Sequence, residues 1–280
     1  MDAVILLNKP AGMTSFDAVA KCRRIFHERK IGHTGTLDPE ASGLMIILLG
    51  KYTKLLPYCV KNHKAYQATL KLGEMTDTED IWGTIINTKT PSIHTEAEID
   101  NAVQSLTGDI LQVPPMYSAL KKDGKKLYEY ARQGIEIERE ARPVHISTLK
   151  VEKINDTNYR MNAVVSSGTY IRTLITDFGK QLDELAIMSS LIRTKIEHLS
   201  LKDACTFEDL ESGVSFLSPI QVIDPTYKIV ETDRVVDIKN GKRIKLDIRD
   251  PQVIFTSNGE LLAAYALQED GLYHCLRGLF

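Results

Sequence analysis

The stretch that most limits what this chain can build runs from residue 32 to residue 43, Gly-His-Thr-Gly-Thr-Leu-Asp-Pro-Glu-Ala-Ser-Gly. Glycines at 32, 35 and 43 let the backbone adopt positive φ or approach a ligand closely. Pro39 biases Asp38 toward extended geometry. The segment therefore reads as a short, shaped loop presenting one carboxylate, with Gly43 leading into the apolar run Leu44 to Leu49. The competing reading is an ordinary turn, because Asp and Pro are standard turn formers. The rest of the chain has to decide between the two.

Around this loop the periodicities mix. Residues 3–8 and 42–49 are apolar runs suited to buried strands, and 64–72 alternates as a further strand. Thr14-Ser15-Phe16-Asp17 is a helix start with an acid three residues after the cap, and Ala18, Cys22, Ile25 and Phe26 then share one helical face. Thr95-Glu96-Ala97-Glu98 is a capping box opening a helix to about Leu106. Residues 144–154 and 158–165 form a hairpin around Asn155-Asp156-Thr157-Asn158, and a helix is expected at about 170–183. With no strict strand-helix-strand rhythm, the fold class is α+β with a largely antiparallel sheet.

Two stretches look separable. Residues 116–143 are polar and charged, opening on Lys121-Lys122-Asp123-Gly124-Lys125-Lys126, and suit a flap or insertion better than core. Near 218–226, Ser218-Pro219 and Asp224-Pro225 punctuate the chain. Short β-like runs follow, with the turns Asn240-Gly241 and Ser257-Asn258-Gly259 as hairpin signatures. The expected organisation is a main domain over residues 1–222 and a small one over 223–280.

A chain of 280 residues can bury a core without disulfides. The four cysteines, at 22, 59, 205 and 275, have no paired spacing, so neither a zinc site nor a redox motif is signalled, and they suit a reducing compartment. No signal-like segment opens the chain and its apolar runs fall short of membrane-spanning length, so a soluble cytoplasmic protein is expected. The formal net charge of −2 argues weakly against an RNA binder. Its distribution argues the other way, because residues 1–65 carry ten basic residues against five acidic ones. A local basic face steers a polyanion even on a near-neutral chain.

Five blocks then occur in order. They are Asn8-Lys9-Pro10-Ala11-Gly12-Met13-Thr14-Ser15, the loop around Asp38, and Lys64-Ala65-Tyr66 continuing through Thr76-Asp77-Thr78 to Asp80 and Gly83. Pro114-Pro115-Met116-Tyr117-Ser118-Ala119 follows, with Lys121, Gly124, Tyr128 and Ala131-Arg132, and then Gly168-Thr169-Tyr170-Ile171-Arg172-Thr173-Leu174. Together they resemble the motifs of pseudouridine synthases, specifically the TruB family of tRNA pseudouridine-55 synthases, over roughly residues 4–200. The resemblance implies a pseudouridine synthase-like sheet flanked by helices, an RNA-gripping insertion at about 116–143, and a small C-terminal β-rich PUA-like RNA-binding domain over 223–280.

It also implies a reaction. A uridine in the T-loop of tRNA, at position 55, would be flipped out, its glycosidic bond broken, and the uracil rejoined through carbon. No electrons enter or leave, so no cofactor is expected, and no Rossmann fingerprint, P-loop or metal-ligand spacing is found. The resemblance assigns Asp38 the essential carboxylate role. Sequence leaves the first step open among attack on the ribose, addition to the ring and removal of a sugar proton. Arg172 is the implied partner that keeps Asp38 charged and oriented, and Tyr66 the residue against the uracil. Substrate contacts are assigned to His33 and Gly35 beside the flipped nucleotide, to Tyr170 in the pocket wall, and to Lys9, Lys121, Lys122, Lys125, Lys126, Arg132 and Arg142 on phosphates. The implied partner is the T-arm of tRNA, with no membrane, no obligatory protein partner and a monomeric enzyme.

The chain departs from the family in three places. Val165 stands where the arginine block usually opens with cysteine, Ile192 replaces one arginine of a Leu-Arg-Arg-Thr block, and Asp183-Glu184 stands where small residues are usual. Three rival readings remain. A non-catalytic RNA-binding or RNA-folding protein has no use for an Asp–Arg pair, a methyltransferase needs a nucleotide-cofactor loop, and a small-molecule hydrolase leaves the basic insertion unexplained.

Overall fold

The computed structural model describes residues 1–280 and divides into two compact units. The first comprises residues 1–39, 43–61 and 201–280, and the second residues 40–42 and 62–200. The first 61 residues, apart from 40–42, thus share a unit with the last 80, a grouping that linear reading at residue 222 does not anticipate.

In the first unit the strand Ala3–Lys9 and the strand Ile31–Thr34 both pair antiparallel with Ser42–Leu49. The apolar runs explain the pairing, since Val4, Leu7 and every residue from Leu44 to Leu49 are sealed from solvent. The helix Ser15–Phe26 starts where the cap signal lies: the Thr14 hydroxyl accepts from Asp17 N at 3.0 Å, and the Asp17 carboxylate accepts from Thr14 N at 3.0 Å. Its Ala18, Val19 and Cys22 face the core, and Phe26 meets Phe216 edge-on at 6.2 Å.

The same unit holds a four-stranded sheet in the order Lys228–Glu231, Gln252–Ser257, Glu260–Leu267, Tyr273–Gly278, with one parallel pairing at its start. Its core gathers Ile238, Ile244, Val253, Phe255, Leu262, Tyr265 and Tyr273. Asn258-Gly259, with φ of 48° and 78°, makes the expected hairpin turn. Asn240-Gly241 does not. It closes the short helix Val235–Lys239, because an Asn-Gly pair serves as readily at a helix C-terminus as in a hairpin.

The second unit carries an antiparallel sheet in the order Ala186–Ile196, His63–Leu72, Asn158–Ser166, Arg142–Lys153, Gly108–Gln112. The helices Glu96–Ser105 and Ile171–Gln181 pack on it. The capping box at Thr95 and the hairpin around 155–158 are present as the sequence indicates. The strand Ala186–Ile196 is not evident from pattern, because irregularities between Met188 and Ser190 and between Arg193 and Lys195 break its two-residue period. The insertion also needs correction at its end. Arg142 and Pro143 already belong to a sheet strand, paired with Gln112 and Leu111. No helix is long and apolar enough to cross a membrane.

Candidate functional site

In the first unit the peptide around Asp38 is fastened on both sides. Ser15, buried in the first turn of its helix, donates its hydroxyl to Leu37 O at 3.1 Å and accepts from Leu37 N at 2.9 Å. On the other side Pro39 O accepts from Gly12 N at 3.0 Å and from Lys9 Nζ at 3.1 Å. Gly12 can reach that carbonyl because it sits at φ 81°, a conformation costly to any residue with a β-carbon. Asp38 itself is half-buried. The backbone that carries this carboxylate is thus held on both sides, which suits a reacting group that must be positioned before a ligand arrives.

Lys9 corrects its assignment. Expected on phosphate, it is 0% exposed, and its ammonium donates to Pro10 O at 2.8 Å and Met13 O at 2.7 Å besides Pro39 O. An ammonium has three donors, and three carbonyls stand within hydrogen-bond reach of this one. Lys9 therefore holds the loop together from inside. His33 lies half-buried on the strand Ile31–Thr34, opposite Ile47, and Gly35 follows exposed at φ 68°.

In the second unit Tyr66 occupies the middle of the strand His63–Leu72, between Ala163 on one neighbour and Arg193 on the other. The Arg193 guanidinium, 1% exposed, hydrogen-bonds the Tyr66 hydroxyl; burial works against the arginine's charge, and the phenol partly offsets it. Two residues away Lys64 donates to the Ser167 hydroxyl at 3.2 Å, and burial, then the nearby Arg193 charge, push its ammonium down to about 8.

Arg172, second residue of the helix Ile171–Gln181, is only 5% exposed, so it is no surface arginine. Its guanidinium donates to Thr78 O at 2.8 Å and to Tyr117 O at 2.9 Å. Those carbonyls belong to two of the sequence blocks, which thus converge on one side chain. Next to it the Thr173 hydroxyl donates to Glu79 Oε2 at 2.7 Å, and burial raises the Glu79 carboxyl while Thr173 and Arg172 oppose the rise. Gln112 clamps the helix start, accepting from Tyr170 N at 2.8 Å and donating to Tyr170 O at 3.1 Å. Sequence reasoning left out Ser15, Glu79, Gln112 and Arg193 as site residues; Ser15 and Glu79 lay inside quoted blocks without a role, and Arg193 is the arginine that follows Ile192 in the Leu-Arg-Arg-Thr block.

The basic insertion is a built hairpin. Lys121–Lys122 pairs with Lys125–Lys126 across Asp123-Gly124, whose φ values of 51° and 81° fit a tight two-residue turn. Lys121, Lys122, Lys125, Arg132 and Arg142 are exposed and Lys126 half-buried. The Tyr128 ring has Lys126 at 5.3 Å and Arg132 at 5.1 Å, and Lys125 stands 5.9 Å from the Tyr130 ring. Cations interleaved with aromatic rings suit an RNA strand, offering charge to phosphates and faces to bases. Two sequence departures also resolve locally. Asp183 adopts φ 54° just beyond the helix Ile171–Gln181, and the Glu184 carboxylate is buried, accepting from Ser92 N at 2.8 Å. Ile192 pairs with Gln67 on the sheet beside Arg193.

Residues 23–171 match the TruB family pseudouridylate synthase N-terminal domain. A tRNA pseudouridine synthase B of Geobacillus thermodenitrificans is 42% identical over 287 residues, covering 95% of this chain and 94% of the relative. One from Oceanobacillus iheyensis is 40% identical over 280 residues, covering 95% and 92%, and one from Clostridium perfringens strain SM101 is 47% identical over 249 residues, covering 87% and 85%. Among solved structures, a chain of a Cbf5–Nop10–Gar1 complex has the same fold, with a TM-score of 0.71 at 24% identity over 99% of this chain and 85% of that one. On these matches, the chain belongs to the TruB family of pseudouridylate synthases.

Proposed function

We propose that this protein converts a uridine in the T-loop of tRNA, at position 55, to pseudouridine. The flipped nucleotide loses its bond from the ribose carbon to N1, the uracil turns, and a bond to C5 replaces it as the C5 proton leaves. Every atom of substrate except that exchanged proton is kept, so the conversion is an isomerisation and calls for no redox cofactor. Asp38 is the essential carboxylate in this reading, Arg172 and Tyr66 are the other catalytic residues, and Tyr66 faces the uracil. His33, Gly35 and Tyr170 shape the nucleotide site, and Lys121, Lys122, Lys125, Lys126, Arg132 and Arg142 bind phosphates. The enzyme acts in the cytoplasm as a monomer, without a protein partner.

Support comes from family membership together with relatives that carry the name tRNA pseudouridine synthase B. The observation that carries the reading is the double clamp on the Asp38 peptide, by Ser15 on one side and Lys9 with Gly12 on the other. A protein that only binds or folds RNA gains nothing from a carboxylate on a doubly clamped peptide, since a carboxylate repels phosphate. The test is to incubate purified protein with unmodified tRNA transcript alone and map pseudouridines chemically. One modified T-loop uridine is expected. Tight binding without any pseudouridine would favour the non-catalytic rival.

A further inference from the structure

Tyr66 has an unusual neighbour for a residue that faces a base. Arg193 is sealed from solvent on the adjacent strand, directly opposite in register, while Tyr66 itself is only half-buried. The register irregularity between Arg193 and Lys195 falls here, and Thr194 bonds its hydroxyl to Ala65 O at 3.2 Å, fixing the strand beside the pair. Bulges of this kind re-aim a side chain.

The chemistry of the contact sets a direction. A guanidinium has five N–H donors, no acceptor, and keeps its charge in proteins. In its bond with the Tyr66 hydroxyl the phenol oxygen must therefore accept. A hydroxyl carries one hydrogen, and that hydrogen then points elsewhere. Because Arg193 is buried and Tyr66 is not fully so, the hydrogen is left for the open side of the ring, where a ligand arrives.

We propose that Arg193 is a positioning residue for the uridine isomerisation: by donating to the Tyr66 oxygen it turns the tyrosine hydrogen toward the bound base, so that Tyr66 serves as a hydrogen-bond donor to uracil. The inference rests on the pseudouridine synthase reading above. Ile192, the departure from a paired-arginine block, leaves this role to Arg193 alone within that block.

Lysine and glutamine at position 193 separate the possibilities. Lysine can only donate, whereas glutamine also offers an acceptor and lets the hydroxyl turn back. Pseudouridine formation is measured in single turnover with saturating tRNA transcript, with RNA affinity measured alongside. Arg193→Lys is expected to keep the rate within about tenfold and Arg193→Gln to lose about a hundredfold, both binding RNA within about tenfold of wild type. On a Tyr66→Phe background the two variants should differ by less than about threefold, because no hydroxyl remains to orient. A Lys–Gln gap that persists on that background overturns the proposal. If position 193 variants fail to fold by urea titration, p-aminophenylalanine at Tyr66 restores a donor without touching Arg193. Activity well above Tyr66→Phe supports the proposal and activity equal to it overturns it. A wild-type protein that makes no pseudouridine sinks the functional reading as well; wild-type activity with a persistent gap sinks only this one.

Discussion

A buried lysine ammonium needs acceptors for its donors, and at Lys9 three carbonyls supply them, all belonging to the loop that carries Asp38 or to the turn beside it. Lys9→Met should therefore cost about 2–4 kcal/mol, read as a fall in the urea midpoint, because it strands buried acceptors. An unchanged midpoint would mean water replaces the ammonium there. Asp38→Asn should abolish turnover yet leave RNA affinity within about tenfold, or about 1.4 kcal/mol. Equal loss of binding would make Asp38 structural. Lys64 offers a pH test. Its folded-state value of about 8 lies below the ordinary 10.5, so the unfolded chain holds the extra proton between them. Stability should accordingly rise with pH from about 8 to 10.5, and Lys64→Met should remove that rise. A mutant curve parallel to wild type would refute the assignment.

At the scale of elements, the insertion is the piece most open to manipulation. Its four lysines ride on a two-residue turn that Gly124 makes possible, so replacing them need not disturb the sheet. Neutralising Lys121, Lys122, Lys125 and Lys126 should weaken tRNA binding and flatten its salt dependence, by about 0.7–0.9 in log–log slope for each phosphate that is no longer neutralised. A slope equal to that of wild type would take the hairpin out of the RNA interface. Helix starts were plain from sequence because capping boxes are local: Thr14 with Asp17 and Thr95 with Glu98 place their own partners three residues on. The strand Ala186–Ile196 was hidden for the opposite reason, since its two irregularities follow from its partners and leave no period to read.

Across the molecule the division into units runs against the linear order. A cut at residue 222 would sever Asp224 N from Tyr58 O, a 2.8 Å bond, and remove Tyr227 from the Tyr58 ring 5.3 Å away. It would also strip Phe280 O from Lys54 Nζ, 2.8 Å apart. The fragment 1–222 should consequently melt several degrees below the full chain, each kcal/mol being worth about 2–4 °C at this size. Matching melting temperatures would mark the tail as an independent domain.

The amino-acid sequence by itself determined the helix caps, the apolar strands, the Asp38 loop and the family, because each rests on residues that are neighbours along the chain. Whether a cation is exposed or enclosed is different. Lys9 and Lys121 look alike in one dimension, yet one is sealed among carbonyls and the other projects from a hairpin. Arg172 reaching Thr78 O and Tyr117 O, and Arg193 reaching Tyr66, join positions 55 to 127 residues apart. Only tertiary structure decided those contacts, because a donor's partner is set by which strands lie side by side, and that choice belongs to the packed sheet.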